Sequence, residues 1–223
     1  YKMPDLRLND AMPNFDCDTS TGATTLYNIF GDSWGVLFSH PDDFTPVCTT
    51  ELGQAAHLLP EFEKRNVKLC ALSCNSVASH TGWLADIAAA TGATVTYPII
   101  ADPSRDIAEK LGMLDESNKD SAGLPLTVRK VFIVAPDHSI KLTLTYPAST
   151  GRSFPEILPV IDSLQLTATH KIATPVNWAP GDDGVVVPSV STAAAKEMFG
   201  AVDVKHLPSG KEYLRFVSTK GMK

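Results

Sequence analysis

No stretch of this sequence reaches the roughly 18 consecutive apolar residues that a membrane-spanning helix requires, so stable membrane insertion is not expected. Cysteine is scarce, with four residues at positions 17, 48, 70 and 74 of 223. That number and its irregular spacing exclude the disulfide framework of a small secreted domain and point to reduced thiols in a cytosol-like compartment. The C-x-x-C pair of a dithiol oxidoreductase is missing, since Cys70 and Cys74 are spaced C-x3-C in "KLCALSCNS". His80 lies nearby, but no second ligand pair follows at a spacing that suits zinc. Basic charge is also in short supply: 19 Lys and Arg against 25 Asp and Glu leave a net charge of -6. Neither nucleic acid nor an anionic membrane is therefore expected as the main partner. The opening "YKMPDLRLND" has no apolar signal-peptide core, which favours a cytoplasmic protein, although a start at Tyr1 leaves room for a removed leader.

What is present reads as an ordinary globular chain, 43% hydrophobic and 20% charged, long enough for one full core and a smaller appendage. "GVLFS" (35–39), "VKLCALS" (67–73) and "TYPIIA" (96–101) are short apolar runs with the character of buried strands. Between them, Leu52, Ala55, Leu58, Leu59 and Phe62 share one helical face, as do Leu84, Ile87 and Ala88. "PSRDIAEKLG" (103–112) opens on proline and closes on glycine, as a short helix does. Then "LTVRKVFIVAPDHSIKLTLTYP" gives two β-rich runs around a turn at 136–139. "SFPEILPVIDSLQLT" (153–167) returns to helical spacing, with Pro159 predicting a kink. Alternating strands and helices followed by a hairpin and a helix predict a three-layer α/β domain with a mixed sheet. The expected boundaries are 4–167 for that domain and 168–223 for a Pro-, Gly- and Asp-rich arm too short to bury its own core.

Two residues compete as nucleophile. Ser33 sits in Gly31-Asp32-Ser33-Trp34-Gly35, which fits the G-x-S-x-G pattern of serine hydrolases. That pattern makes a nucleophile elbow only at a strand-to-helix turn, whereas here it precedes a strand. Cys48 follows Thr45-Pro46-Val47. Threonine is a favoured N-cap and proline suits the first helical position, which places Cys48 in the first turn of a helix. Free backbone N–H groups and the positive dipole end gather there, favouring a thiolate and a lowered cysteine pKa. Capping signals alone do not separate this from a small apolar residue filling the turn. Cys70 falls in an apolar run, where a buried structural cysteine is commonplace.

"HPDDFTPVCTTELG" resembles the P-x-x-x-T-x-x-C motif of peroxiredoxins, here Pro41, Thr45 and Cys48. The likeness continues through "GLPLTVRKVFIV", "TLTYPASTGRSFPEIL", "ATPVNW" and "LPSGKEYLRFV", nearly the whole chain in order, and is greatest to the one-cysteine, peroxiredoxin-6-like class. The resemblance implies a thioredoxin-like fold with a C-terminal arm used in homodimerisation. It makes Cys48 the peroxidatic nucleophile, Thr45 the hydroxyl that holds the peroxide, and Pro41 the shield of the sulfur. Arg129 matches the active-site arginine, Arg152 a second arginine near the pocket, Glu51 a carboxylate that orients them, and His40 the histidine before the motif proline. Two-cysteine relatives carry a resolving cysteine near "TPVNWAP"; Val176-Asn177-Trp178 contain none. An external thiol must then recycle the enzyme, and the resemblance implies glutathione, in some relatives delivered by a glutathione transferase. Some relatives also hydrolyse phospholipids with a serine in the G-D-S-W-G context, for which Asp137 matches the aspartate, but Tyr27 stands where the histidine belongs. Tyrosine is no base near neutral pH, so that activity is not expected.

The residues support the peroxidase reading independently. Attack on an O–O bond needs a thiolate and a fixed positive group for the charge that develops on the departing oxygen, and Arg129 can serve both needs. An arginine within an apolar, β-branched run is unusual for a purely structural residue. Lys130 beside it should face solvent. The sulfur itself carries the redox change through a sulfenic acid, so no cofactor, metal or haem is called for. The expected function is a thiol peroxidase for hydrogen peroxide and organic or lipid hydroperoxides. A redox-regulated chaperone with Cys48 as sensor is the alternative from another class.

Overall fold

The structure is a computed structural model that describes residues 6–222; the boundaries expected at residues 4 and 223 lie outside them. Two compact units divide the chain, Tyr1–Phe154 and Pro155–Lys223.

The first unit begins with β1 (Asp16–Thr19), β2 (Thr24–Thr25), α1 (Leu26–Phe30) and β3 (Trp34–Ser39). It continues through α2 (Pro46–His57), α3 (Leu59–Glu63), β4 (Val67–Ser73), α4 (Val77–Thr91), β5 (Ile99–Ala101) and α5 (Asp106–Lys110). The hairpins β6–β7 (Leu114–Lys119, Pro125–Thr127) and β8–β9 (Arg129–Val134, Ile140–Tyr146) complete it. Seven strands form one sheet in the order β2-β1-β5-β4-β3-β8-β9. β3, β4 and β5 run parallel through the helical crossovers α2–α3 and α4, while β1 pairs antiparallel with β5 and β8 with β3, giving the mixed sheet the pattern predicts. All six residues of β3 are buried, which is why it reads as an unbroken apolar run rather than an alternation. Leu37, Leu72, Ile100 and Phe132 are fully buried and pack with Phe30 and Met113 in one cluster.

Several elements depart from the sequence pattern for local reasons. Strand β5 starts only at Ile99, and α5 only at Asp106. Before α5, Arg105 takes a left-handed φ of 69° while its guanidinium holds the Pro125 carbonyl and Asp120, so helix cannot begin earlier. Lys130 does not face water as expected. It is half-buried, with its Nζ on the carbonyls of Leu111 and Gly112 and 4.9 Å from the centre of the Phe132 ring.

The second unit contains most of α6 (Phe154–Thr169), then β10 (Ile172–Ala173), β11 (Gly184–Val186), α7 (Thr192–Phe199), β12 (Asp203–Val204) and β13 (Arg215–Val217). α6 runs on through Pro159. The four strands form their own antiparallel sheet, β10-β11-β13-β12. Leu166, Ile172, Val186, Ala195 and Val217 are buried together, with Trp178 and Phe199 against them. Residues 168–223 do not form this cluster alone: Leu166, from the part of α6 that the sequence assigns to the first domain, completes it.

Candidate active site

Helix α2 begins as its sequence demands. Thr45 is the N-cap residue with extended backbone (φ -114°, ψ 149°), Pro46 is the first helical residue, and Cys48 is the third. The first backbone bond of the turn is Thr49 N–H to the Thr45 carbonyl at 3.0 Å. The Thr45 hydroxyl does not cap the helix; it donates to the Asp42 carbonyl at 2.8 Å. Its oxygen lone pairs and the N–H groups at the head of the helix therefore remain available beside a fully buried Cys48 sulfur.

The start of β8 brings Arg129 to that sulfur. Its Nη1 lies 3.3 Å from Cys48 Sγ and 2.6 Å from Glu51 Oε2, while Nε and Nη2 donate to the Ala148 carbonyl. Glu51, one turn after Cys48, accepts from Arg152 through the backbone N–H (2.7 Å), Nε (2.9 Å) and Nη2 (2.6 Å). Arg152 Nη1 donates to the Ser39 carbonyl at 2.7 Å, and its guanidinium lies over the Phe38 ring. Glu51, Arg129 and Arg152 are 4%, 3% and 7% exposed. Burial raises the Glu51 pKa, but the charge and hydrogen bonds of Arg152, with Arg129 behind them, outweigh it and hold the carboxyl below its ordinary value. Two buried cations against one carboxylate leave the cluster one negative charge short. The Cys48 sulfur is the group that lies against this positive cluster, through Arg129.

At the other three thiols burial dominates, and at Cys74 it outweighs the opposing charge of Arg105. Burial, followed by Asp18 and Asp16, pushes the Cys17 pKa up to about 11. Burial is also the main cause that raises Cys74 to about 12 and Cys70 well above its ordinary value. All four cysteines are free.

Pro41 and His40 follow β3 directly and both are buried. His40 Nε2 lies 2.8 Å from Asp43 Oδ1, and His80 Nδ1 lies 2.8 Å from Asp43 Oδ2. No pattern in the sequence points to Asp43 in this role, and His80 stands there beside the cysteines, 37 residues from the aspartate it meets in the fold. The donor atoms of His40, Asp43 and His80 lie within 4.8 Å of one another, close enough to be considered for a metal. An ion about 2.0–2.2 Å from each ligand atom would force them apart; at 2.8 Å the pairs share protons instead.

Ser33 is held away from catalysis. Its hydroxyl donates to Asn66 Oδ1 at 2.9 Å, while Asp137 Oδ1 accepts the hydroxyl and N–H of Ser139. Tyr27 donates its hydroxyl to the Met12 carbonyl and stacks on His138. The glycines of the G-x-S-x-G run have structural causes. Gly31 ends α1 at φ 54°, and a Cβ on Gly35 would lie 2.5 Å from the Phe30 ring.

Residues 8–143 match the AhpC/TSA family, and residues 163–201 match the C-terminal domain of 1-Cys peroxiredoxin. The chain is 56% identical over 219 residues to Peroxiredoxin-6 of Gallus gallus, covering 96% of this chain and 98% of the relative. It is 55% identical over 216 residues to that of Rattus norvegicus, covering 95% and 96%. A crystal structure of a Peroxiredoxin 6 mutant from Arenicola marina superposes with a TM-score of 0.93 at 52% identity, covering 96% and 98%. A yeast mitochondrial 1-Cys peroxiredoxin, described with thiol resolution through glutathione and thioredoxin systems, superposes at 0.87 and 47% identity, covering 96% and 99%.

Proposed function

Given that the chain belongs to the one-cysteine peroxiredoxins, thioredoxin-like thiol peroxidases that use one peroxidatic cysteine and an external reductant, we propose that Cys48 is that cysteine. The observation that carries the assignment is the Arg129 guanidinium 3.3 Å from the Cys48 sulfur, inside a cluster that lacks one negative charge.

The sulfur attacks the terminal oxygen of a hydroperoxide in line with the O–O bond. An S–O bond forms, the O–O bond breaks, and the departing alkoxide or hydroxide takes a proton to leave as alcohol or water. Arg129 balances the negative charge as it moves from sulfur to oxygen, and Glu51 with Arg152 holds that guanidinium in place. The Thr45 hydroxyl and the N–H groups at the head of α2 hold the peroxide, while Pro41 and His40 wall the pocket. An external thiol then attacks the Cys48 sulfenic acid, releasing water and forming a mixed disulfide, and a second thiol frees Cys48.

Glutathione fits the donor role, in keeping with the glutathione system described for the yeast relative, and a glutathione transferase would deliver it. We assign the protein to a reducing, cytoplasmic setting, which four unpaired thiols support. No described helix is long and apolar enough to cross a membrane. Homodimerisation through a C-terminal arm that starts near residue 168 completes the reading. Stopped-flow mixing of wild type and Cys48→Ser with hydrogen peroxide tests it. The substitution abolishes consumption while circular dichroism stays native; consumption at the wild-type rate would refute the assignment.

A further inference from the structure

Peroxide reduction as described leaves unused a cluster behind His40, formed by buried Asp43 and His80 with half-buried Ser79. Its polar atoms are paired in a definite order. Asp43 Oδ1 faces His40 Nε2 at 2.8 Å; Asp43 Oδ2 accepts the Ser79 hydroxyl at 2.7 Å and faces His80 Nδ1 at 2.8 Å. The other nitrogen of His80 faces the Ile100 carbonyl at 3.2 Å, which clamps its ring between two acceptors. The chain ends at the other nitrogen of His40. That Nδ1 is fully buried and has no hydrogen-bond partner, a rare condition for a buried polar atom and one that asks for a ligand.

We propose that Asp43, backed by Ser79 and His80, is a positioning residue that fixes His40 as its Nε2–H tautomer and keeps the Nδ1 lone pair free to accept a hydrogen bond from the hydroperoxide O–H. The proposal rests on Cys48 being the peroxidatic cysteine.

The proton count follows from the acceptors. Burial raises the Asp43 pKa, but hydrogen bonds from His40 and His80 outweigh it and hold the carboxyl well below its usual range. An ionised carboxylate offers only lone pairs, so His40 Nε2 must bring the proton. Burial lowers the His40 pKa, with Asp43 opposing and His80 and Arg152 adding to the fall, so Nδ1 carries no second proton near neutrality. Asp43, His80 and Arg152 are the titratable groups that act on the ring, from its own loop, from α4 and from the segment before α6.

Placement supports a role in the pocket. In the β3–β8 pair Phe38 faces Val131, and just beyond it Ser39 Oγ accepts the Lys130 N–H and donates to the Val128 carbonyl, so His40 leaves β3 beside the strand start that carries Arg129. Trp83, one turn after His80 on α4, packs 5.4 Å from the His40 ring and donates to the hydroxyl of Thr49, the residue after Cys48. The Thr127 hydroxyl holds the His40 carbonyl at 2.6 Å. The residue is thus fixed from three sides, with one ring nitrogen unsatisfied.

Long-range 1H–15N NMR of the reduced, labelled protein reads the tautomer directly. A protonated Nε2 and a bare Nδ1 on His40 are expected at pH 7; a proton on Nδ1 overturns the proposal. Asp43→Asn and His80→Gln should each lower the rate constant for Cys48 oxidation at least about tenfold, the lower end of the range seen when the outer partner of a metal-binding histidine is removed. Asp43→Glu should restore part of it. A mixed tautomer in Asp43→Asn with an unchanged rate would also overturn the proposal. If Asp43→Asn does not fold, the wild-type spectrum and His80→Gln still decide. Peroxide consumption surviving in Cys48→Ser would instead remove the peroxidase assignment, whatever tautomer His40 shows.

Discussion

Replacing Glu51 with glutamine keeps the shape of the side chain and removes the one anion between two buried guanidinium groups. Four hydrogen bonds reach that carboxylate, one from Arg129 and three from Arg152. An amide can accept at one position only, and its NH2 group then confronts N–H donors. Breaking a buried ion pair on one side costs about 3–5 kcal/mol, which for a chain of this size corresponds to a fall in Tm of about 6–20 °C. The pH dependence is a sharper test. The folded-state pKa of Glu51 is lowered, so its stabilisation is fully present above the unfolded carboxyl value of about 4.3 and is lost as pH falls through the folded value. Urea denaturation of wild type and Glu51→Gln should show the full gap at pH 7 and a gap that closes below about pH 4.3. Stopped-flow oxidation should slow as well, because Arg129 loses the partner that aims it. A gap below about 1 kcal/mol at pH 7, or one equally large at low pH, would refute the account of the cluster.

Arg129→Lys keeps the charge and loses the fork, so the rate constant for Cys48 oxidation should fall about 10²- to 10³-fold, and an unchanged rate would show that guanidinium geometry is irrelevant. Because burial raises Cys17, Cys70 and Cys74, brief iodoacetamide treatment at pH 7 should label Cys48 first. Equal labelling of any of the other three, read by peptide mass spectrometry, would contradict that ranking. With Ser33 bonded to Asn66, a fluorophosphonate probe should leave it unmodified, and Ser33→Ala should retain the wild-type peroxidase rate; a labelled Ser33 would contradict the structural role given to it.

The local part of the site is legible in the sequence, and the long-range part is not. Thr45-Pro46 fixes a helix start, so the place of Cys48 in the first turn follows from capping and φ preference alone. Arg129 stands out because an apolar strand offers a cation no comfort without a partner. The pairing of Glu51 with Arg152, 101 residues apart, has no local signal, and only family likeness singles out the two residues. The pairing of Asp43 with His80 escapes notice for the same reason: the loop after β3 and the start of α4 bring them together only in the folded chain. Thr45 misleads in a smaller way, since N-cap preference predicts a hydroxyl on a helix N–H while the structure turns it back to Asp42. Among the strands, β6 (Leu114–Lys119) is polar from Asp115 onward and carries no apolar alternation to read.

The central claim is that one sulfur, at position 48, takes the oxygen from the peroxide. Treating the reduced protein with one equivalent of hydrogen peroxide in the presence of dimedone, then mapping the adduct by mass spectrometry, tests it directly. A single adduct on Cys48 is the predicted result; an adduct on Cys17, Cys70 or Cys74, with Cys48 unmodified, would contradict it.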